Sequence, residues 1–143
     1  MRIGVTGSRH GLTLAQMTVV TRELQLLSWM SVTDLHHGDC TGVDVQVAAI
    51  AAGLGYRTIA HPPTNETHRG CHPSDEVRSA FDYLTRDRHI VDETELLIGC
   101  PDGPERPKSG TWYTIGYARK IGRRTLVVDP AGDVVDSGLR VGS

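Results

Sequence analysis

The sequence has little net charge and no long apolar run, and these two absences exclude whole classes of protein. Its 143 residues carry a formal net charge of −2, so no overall attraction to nucleic acid or to an anionic membrane surface is expected. No apolar run approaches the ~20 residues that a membrane-spanning helix requires. We therefore expect neither a membrane nor a nucleic-acid partner. Any binding of an anion would have to depend on a local group of cationic residues.

Cysteines and signal-peptide features are also scarce. The three cysteines, Cys40, Cys71 and Cys100, are odd in number and widely spaced, which argues against a disulfide framework and fits a reducing compartment. The first residues lead directly into an apolar segment, without the pattern of a signal peptide. The sequence therefore predicts a cytoplasmic protein.

Short apolar runs alternate with segments of helical periodicity. An apolar fraction of 38% with 22% charged residues is ordinary for a globular protein, and we expect one domain over residues 1–143. Helices are predicted after Thr13, from the Thr41–Asp44 segment, over 74–91 and after Ser109. Strands are predicted at 2–6, 33–37, 56–60, 95–100 and 124–128.

This alternation predicts an α/β fold with a mostly parallel sheet of about five strands, covered by helices on both faces. Right-handed crossovers place the strand-to-helix loops along the carboxyl edge of such a sheet. Three of these loops have an unusual composition: 6–9, 37–44 and 108–111. We expect them to converge in space, and this convergence is the main functional signal in the sequence.

The first of these loops contains Gly7, Ser8 and Arg9. A glycine at the end of a strand lets the backbone turn sharply and approach a ligand. The N-terminus of the following helix favours an anion. Ser8 and Arg9 add donors that suit a phosphate or a carboxylate. The alternative is an ordinary turn with a solvated arginine.

The loop that contains Ser109, Gly110 and Thr111 offers the same chemistry. These small residues stand where a helix exposes unpaired N–H groups, and they leave room for a phosphate. Ser109 is expected to cap the helix whether or not a ligand binds there.

The remaining loop carries Gly38 and Asp39. A carboxylate suits sugar hydroxyls or the N–H of a base better than it suits phosphate, so Asp39 is a candidate ligand contact and a candidate catalytic residue. The alternative is a plain turn residue. Asp44 is expected to be structural, since the Thr41–Asp44 spacing is that of a capping box.

A polar segment holds His61, His68, Cys71 and His72, residue types that zinc prefers. Their spacing is not that of a standard zinc site, however, so we predict neither a metal nor another cofactor. The segment is interpreted as a mobile loop that could close over the ligand as a lid.

Four stretches occur in an order that resembles the SLOG superfamily, most closely its branch related to YspA and YpsA: GVTGSR, HHGDCTGVD, LTRDRHIVDETELLIGCPDG and KSGTWYTIGYARKIG. The resemblance covers residues 1–129. It implies a Rossmann-like three-layer domain that holds a nucleotide or nucleotide derivative between the first glycine loop and the Ser109–Thr111 loop. The superfamily also includes the LOG-type phosphoribohydrolases, which cleave an N-glycosidic bond.

The resemblance has further implications for single residues. Arg86 matches an arginine of this branch, with Asp87 in place of the asparagine, so Arg86 is a candidate ligand contact, or else part of an interhelix salt bridge. The hydrolases carry a glutamate where this chain has Thr114. A threonine cannot act as a general base at neutral pH.

The sequence thus predicts a protein that binds a nucleotide-derived ligand as a sensor, carrier or sequestering module, with a nucleotide N-glycosidase as the alternative. Aromatic residues on the last predicted helix (Trp112, Tyr113 and Tyr117) favour a homodimer or a multiple of one. The predicted binding residues are Gly7, Ser8, Arg9, Gly38, Asp39, Arg86, Ser109, Gly110 and Thr111.

Overall fold

The chain folds into strands and helices that alternate along the sequence. The structure is a computed structural model that describes residues 1–31 and 33–138. The helices are α1 Leu14–Ser28, α2 Val43–Gly53, α3 Tyr83–Asp92 and α4 Gly110–Lys120. The strands are β1 Arg2–Gly7, β2 Asp34–His37, β3 Arg57–Ala60, β4 Glu76–Val77, β5 Leu96–Cys100, β6 Arg124–Val128 and β7 Val134–Ser137.

The strands form one sheet in the order β4-β3-β2-β1-β5-β6-β7, in which β7 alone runs antiparallel to its neighbour. From β1 the chain proceeds outward through β2 to β4, and then returns to add β5 on the other side of β1. Gly7 at the end of β1 therefore lies beside Cys100 at the end of β5. Ligands of open α/β sheets bind at such a switch point.

Helices cover both faces of the sheet, which confirms the predicted three-layer α/β class. On one face, α1 and α2 pack on a core that includes Leu24, Val47 and Ile98; on the other, α3 and α4 contribute Ile90 and Ile115. The sheet has slightly more strands than the five expected, because a two-residue edge strand and the antiparallel β7 extend its two ends. Within the described ranges, no helix has both the length and the apolar character needed to cross a membrane.

Local signals predicted two of the four helix starts correctly. Thr13 and Gln16 form the expected capping box at α1, in which each side chain bonds the other's backbone N–H. Ser109 caps α4, where its Oγ accepts a hydrogen bond from Trp112 N at 3.2 Å. Both signals depend on residues within one helical turn, so they can be read from sequence.

The predicted helix over 74–91 is wrong in its first half. Residues 76–77 instead pair with β3 as β4, and α3 begins only after Asp82, whose side chain accepts from Thr85 N. Asp75, expected in a first helical turn, bonds Thr58 N at 2.8 Å. Val77 and Phe81, which the predicted helix contained, are exposed. Pairing with an edge strand outweighed the helical pattern.

The predicted capping box at the start of α2 is also wrong. The N-cap is Gly42, which has no side chain to accept a bond, and Asp44 Oδ2 accepts from Cys40 N at 3.2 Å. Val43 N donates instead to the carbonyl of Ser8 at 3.0 Å. The first loop thus caps α2 through its backbone, which leaves the Asp44 carboxyl available for another role.

Candidate functional site

A cavity of about 570 Å³ lies at the carboxyl ends of β1 and β5. Its walls come from the loops after these strands, from the loop after β2 and the start of α2, from α3 and the N-terminus of α4, and from the segment after β3. Seven of the nine predicted binding residues line it, from three separate parts of the chain: Gly7, Ser8, Arg9, Arg86, Ser109, Gly110 and Thr111. The folded chain therefore brings together the first glycine loop and the Ser109–Thr111 loop.

In the first loop, Ser8 and Arg9 have different roles. Ser8 is buried, and its Oγ accepts from His10 N at 3.0 Å and donates to Asp102 Oδ2 at 3.3 Å, so it holds the loop to the segment after β5. Arg9 is exposed, and its Nη1 lies 2.9 Å from His68 Nε2. Arg9 is thus the cation of this loop that can turn towards an anion in the cavity.

The N-terminus of α4 forms the opposite wall. A Cβ added to Gly110 would meet no atom within 4 Å, so this wall is open to a ligand. The first N–H groups of a helix lack intrahelical partners and carry partial positive charge. Lys108, immediately before this turn, also lines the cavity and adds a cation.

Arg86 forms part of the cavity wall from α3, and it is almost completely buried. Its Nε donates to Asp87 Oδ1 at 2.5 Å, and its Nη1 donates to the carbonyls of Gly38 and His61. Its guanidinium carbon lies 5.3 Å from the centre of the Tyr83 ring. These contacts give the Arg86 guanidinium a fixed orientation in the cavity wall.

Two carboxyl groups, those of Asp44 and Asp87, line the cavity together with Arg86. Burial raises the pKa of Asp44 to about 7, although the charge of Arg86 opposes this rise. Burial also raises the pKa of Asp87, against the attraction of Arg86 and a hydrogen bond with Thr114. One arginine thus lies beside two buried carboxyl groups, and burial favours the protonated form of each of them.

Replacing Asp44 with asparagine is expected to change how stability depends on pH. An unfolded Asp44 loses its proton near pH 4, but the folded one keeps it to about pH 7. The stability that this group contributes below pH 4 is therefore lost as the pH rises to 7. Over this range the wild type should therefore lose about 1 kcal/mol of its free energy of unfolding per pH unit relative to Asp44→Asn, which has no carboxyl group at this position.

Urea unfolding at several pH values measures this difference. Glu105→Gln is the control, since Glu105 is an exposed carboxyl with its side chain 73% accessible. Its difference from the wild type should stay nearly constant with pH. A constant difference for Asp44→Asn as well would contradict the raised pKa of Asp44.

The structure does not bring Gly38 or Asp39 to the cavity wall. The Asp39 carboxylate accepts from Arg69 Nε at 3.0 Å and from His72 N at 2.8 Å, and Asp39 O accepts from Gly70 N. Asp39 therefore anchors the segment after β3. A Cβ on Gly38 would lie 2.6 Å from Arg86 Nη1, so this glycine leaves room for the buried guanidinium. The carboxyl groups that line the cavity are instead Asp44, which the sequence analysis took as a helix cap, and Asp87.

The segment after β3 lies against the cavity, as the lid interpretation requires. Asn65, Thr67 and His68 line it. Cys71 and His72 are not among the lining residues, and His72 is tied to Asp39 through its backbone. Among the residues that sequence reasoning missed, Asp102 pairs with Arg106 at 2.8 Å in the loop after β5.

Comparison with known proteins bears on the fold. No family model matches this chain, and no curated protein matches it in sequence. A solved molybdenum cofactor binding protein from the phototrophic bacterium Rippkaea orientalis superposes with a TM-score of 0.70 at 20% identity, over 90% of this chain and 76% of that one. The fold is Rossmann-like.

Two further solved structures agree. The protein TM1055 superposes with a TM-score of 0.64 at 16% identity, over 87% of this chain and 71% of its own. The Moco carrier protein from Chlamydomonas reinhardtii superposes with a TM-score of 0.58 at 18% identity, over 88% of this chain and 74% of its own. At these identities the similarity establishes the shared fold.

Proposed function

We propose that this chain binds a small anionic ligand, a nucleotide or a nucleotide derivative, in the cavity at the carboxyl ends of β1 and β5, as a sensor, carrier or sequestering module of the SLOG type. The observation that carries the proposal is the convergence of Arg9, Arg86 and Lys108 with the N-terminus of α4 on one cavity. Cations and free helix N–H groups together form a site for a phosphate.

The cavity also has the size and the apolar surface to hold the uncharged part of a ligand. Its volume of about 570 Å³ lies within the usual range for small-molecule sites. Tyr83 and Leu84 line it beside the polar groups, so a flat base can find apolar surface there. Two of the structural relatives are proteins of the molybdenum cofactor, which supports a binding or carrier role for this fold.

We further propose a cytoplasmic homo-oligomer of one domain, with no membrane or nucleic-acid partner. Trp112 and Tyr117 on α4 are only partly buried. Each already has one polar partner: Trp112 Nε1 donates to Gly103 O, and Tyr117 Oη donates to Asp92 Oδ1. Their remaining aromatic surface is available to a second copy. Light scattering at micromolar concentration tests this, and a monomer would contradict it.

The binding proposal predicts a ligand-dependent rise in melting temperature. At 100 times its dissociation constant a ligand stabilises the folded chain by about 2.7 kcal/mol. For a chain of this size the expected shift is roughly 5–10 °C. A thermal-shift screen of mono-, di- and cyclic nucleotides and ADP-ribose derivatives measures it, with sulfate as the plain anion. Equal shifts with sulfate and every nucleotide would contradict a nucleotide site.

Two variants link the shift to the cavity. Gly110→Val should remove it, because the added side chain fills the open space at the α4 wall, where no packing partner is disturbed. Arg9→Ala should weaken ligand affinity by about 1.5–3 kcal/mol, the range for a charge-assisted hydrogen bond. Glu105→Gln is the control and should keep the shift. Native mass spectrometry of freshly purified protein measures the mass of any co-purified ligand. This mass distinguishes a nucleotide from a molybdenum cofactor.

A second candidate function is a nucleotide N-glycosidase, which the carboxyl pair Asp44 and Asp87 favours. A carboxyl group with a raised pKa can protonate a leaving group at neutral pH. Thr114 cannot take this role. It is buried, and its Oγ1 donates to Gly110 O at 2.8 Å. A hydrolase would therefore depend on carboxyl groups from α2 and α3.

We expect no release of free base from nucleoside monophosphates by this protein, because the hydrolase glutamate is replaced by Thr114. Chromatography of the reaction mixture measures the free base. Turnover that is lost in Asp87→Asn and retained in Asp39→Asn would overturn this expectation and establish the glycosidase. The Asp39 variant is the matched control, since the carboxylate of Asp39 bonds Arg69 and His72 instead of lining the cavity.

A further inference from the structure

Two buried histidines and a glutamate meet near the C-terminus of α3. His36 Nδ1 lies 2.8 Å from His61 Nε2, with both rings about 2% exposed. One ligand atom from each of His36, His61 and Glu93 falls within 4.8 Å of the other two. These residues are separated by 25 and 32 positions in the chain, so only the fold brings them together.

The backbone holds all three side chains in place. His36 lies within β2, in register with Gly4 of β1 and Ile59 of β3. His61 extends β3, where its N–H donates to His37 O at 2.7 Å. Glu93 is the C-cap of α3. A metal site needs such rigid support, since its ligands have to keep a fixed geometry.

The charges around the cluster are compatible with a cation. The 2.8 Å contact between His36 Nδ1 and His61 Nε2 is a hydrogen bond, so one ring has to take its other tautomer before both nitrogens can bind an ion. Arg78 Nη2 forms an ion pair with Glu93 Oε1 at 2.9 Å, which helps to hold this carboxylate in place. The charge of Arg78 is further offset by Glu76, whose Oε2 lies 2.6 Å from Arg78 Nε.

We propose that His36, His61 and Glu93 bind a divalent metal ion of the zinc type, with water as the fourth ligand. Two imidazoles and one carboxylate are a common ligand set for zinc. On tetrahedral zinc, two nitrogen ligands lie ~3.3 Å apart, so the two rings have to separate by only about half an ångström. The Glu93 side chain is 34% exposed, which leaves an approach for the ion and its water.

The bound ion would cross-link side chains from three elements of the chain: β2, the residue after β3 and the C-terminus of α3. It would also stand next to the ligand cavity, because the His61 carbonyl accepts from Arg86 Nη1. The site does not depend on the proposed nucleotide, since none of its three residues lines that cavity. Its role is to fix the wall from which Arg86 reaches the ligand.

Titration of chelator-treated protein with Zn²⁺ tests the proposal. We expect one ion per chain and a rise in melting temperature of roughly 5–10 °C at 100 times the dissociation constant. Co²⁺ in place of Zn²⁺ should give the visible absorption of a four-coordinate site with nitrogen and oxygen ligands. No saturable binding of either metal at micromolar concentration would overturn the proposal.

Variants assign the site. His61→Gln should weaken Zn²⁺ binding at least 100-fold and Glu93→Gln at least 10-fold, whereas Cys71→Ser in the nearby loop should bind as the wild type does. Glu93 is partly exposed, so Glu93→Gln keeps the test valid even if His61→Gln does not fold. Unchanged affinity in Glu93→Gln, or a thiolate charge-transfer band with Co²⁺ that disappears in Cys71→Ser, would overturn the assignment.

Discussion

Replacing Arg86 with methionine should lower the free energy of unfolding by about 3–5 kcal/mol at pH 8, the usual cost of removing one partner from a buried ion pair. The substitution leaves the carboxyl groups of Asp44 and Asp87 buried without a counterion. It also leaves the carbonyls of Gly38 and His61 without the donor that Arg86 Nη1 supplies. Denaturant unfolding monitored by circular dichroism measures the loss.

The loss should be smaller near pH 5, because protonated carboxyl groups need no counterion and the folded chain already favours their protonated forms. Arg88→Met is the matched control, on the same helix but only half-buried, with a guanidinium that donates to Tyr113 Oη at 3.0 Å. It should cost no more than about 1 kcal/mol. An equal cost for the two variants would show that Arg86 does not stabilise a buried pair of carboxyl groups.

Replacing Gly42 with alanine should destabilise the fold by more than about 4 kcal/mol, which is exceptional for one methyl group. Gly42 has φ 90° and ψ −127°, a conformation that side chains rarely adopt. Its Cβ would lie 2.4 Å from the carbonyl carbon and oxygen of Arg9 and 2.5 Å from Ser8 O. These are backbone atoms, so the first loop would have to move.

Thermal unfolding measures this effect, and Gly53→Ala is the control. Gly53 ends the same helix, and a Cβ there would meet nothing within 4 Å. Gly53→Ala should leave stability unchanged or raise it by up to about 1 kcal/mol. If Gly42→Ala unfolds at the temperature of the wild type, the close packing of the first loop on α2 is not required by the fold.

Both predictions concern the same structural unit, in which the first loop caps α2 and the start of α2 carries Asp44 towards Arg86. Val43 N donates to Ser8 O, and Asp44 follows directly. The ligand cavity and the buried charges therefore share a scaffold. We expect a folded fraction of Gly42→Ala to bind ligand more weakly than the wild type, since Arg9 is displaced with the loop.

Much of the fold was predictable because its signals are local. The strand at 124–128 is an apolar run of the length that a buried strand needs, and β6 occupies these residues. Thr13 and Ser109 accept hydrogen bonds from N–H groups three residues later, so their capping is encoded in adjacent residues. The convergence of the first and last polar loops followed from the handedness of the crossovers.

The start of α3 was not predictable in this way. Residues 76–77 favour a helix by pattern but gain a strand partner in β3, and the pairing depends on residues about 17 positions earlier. Asp82, which the longer predicted helix placed in its interior, is instead the N-cap of α3. Competition between a local preference and a distant partner is resolved only in the folded chain.

The amino-acid pattern alone was sufficient for the α/β class, the parallel sheet and the loops at its carboxyl edge, because hydrophobic period, caps and chain handedness act over short distances. Only the folded chain shows that Asp44 faces the cavity while Asp39 binds Arg69 and His72, and that His36 meets His61. The reason is burial. The position of a buried charge or imidazole depends on partners from distant segments, and such a group cannot stay buried without them.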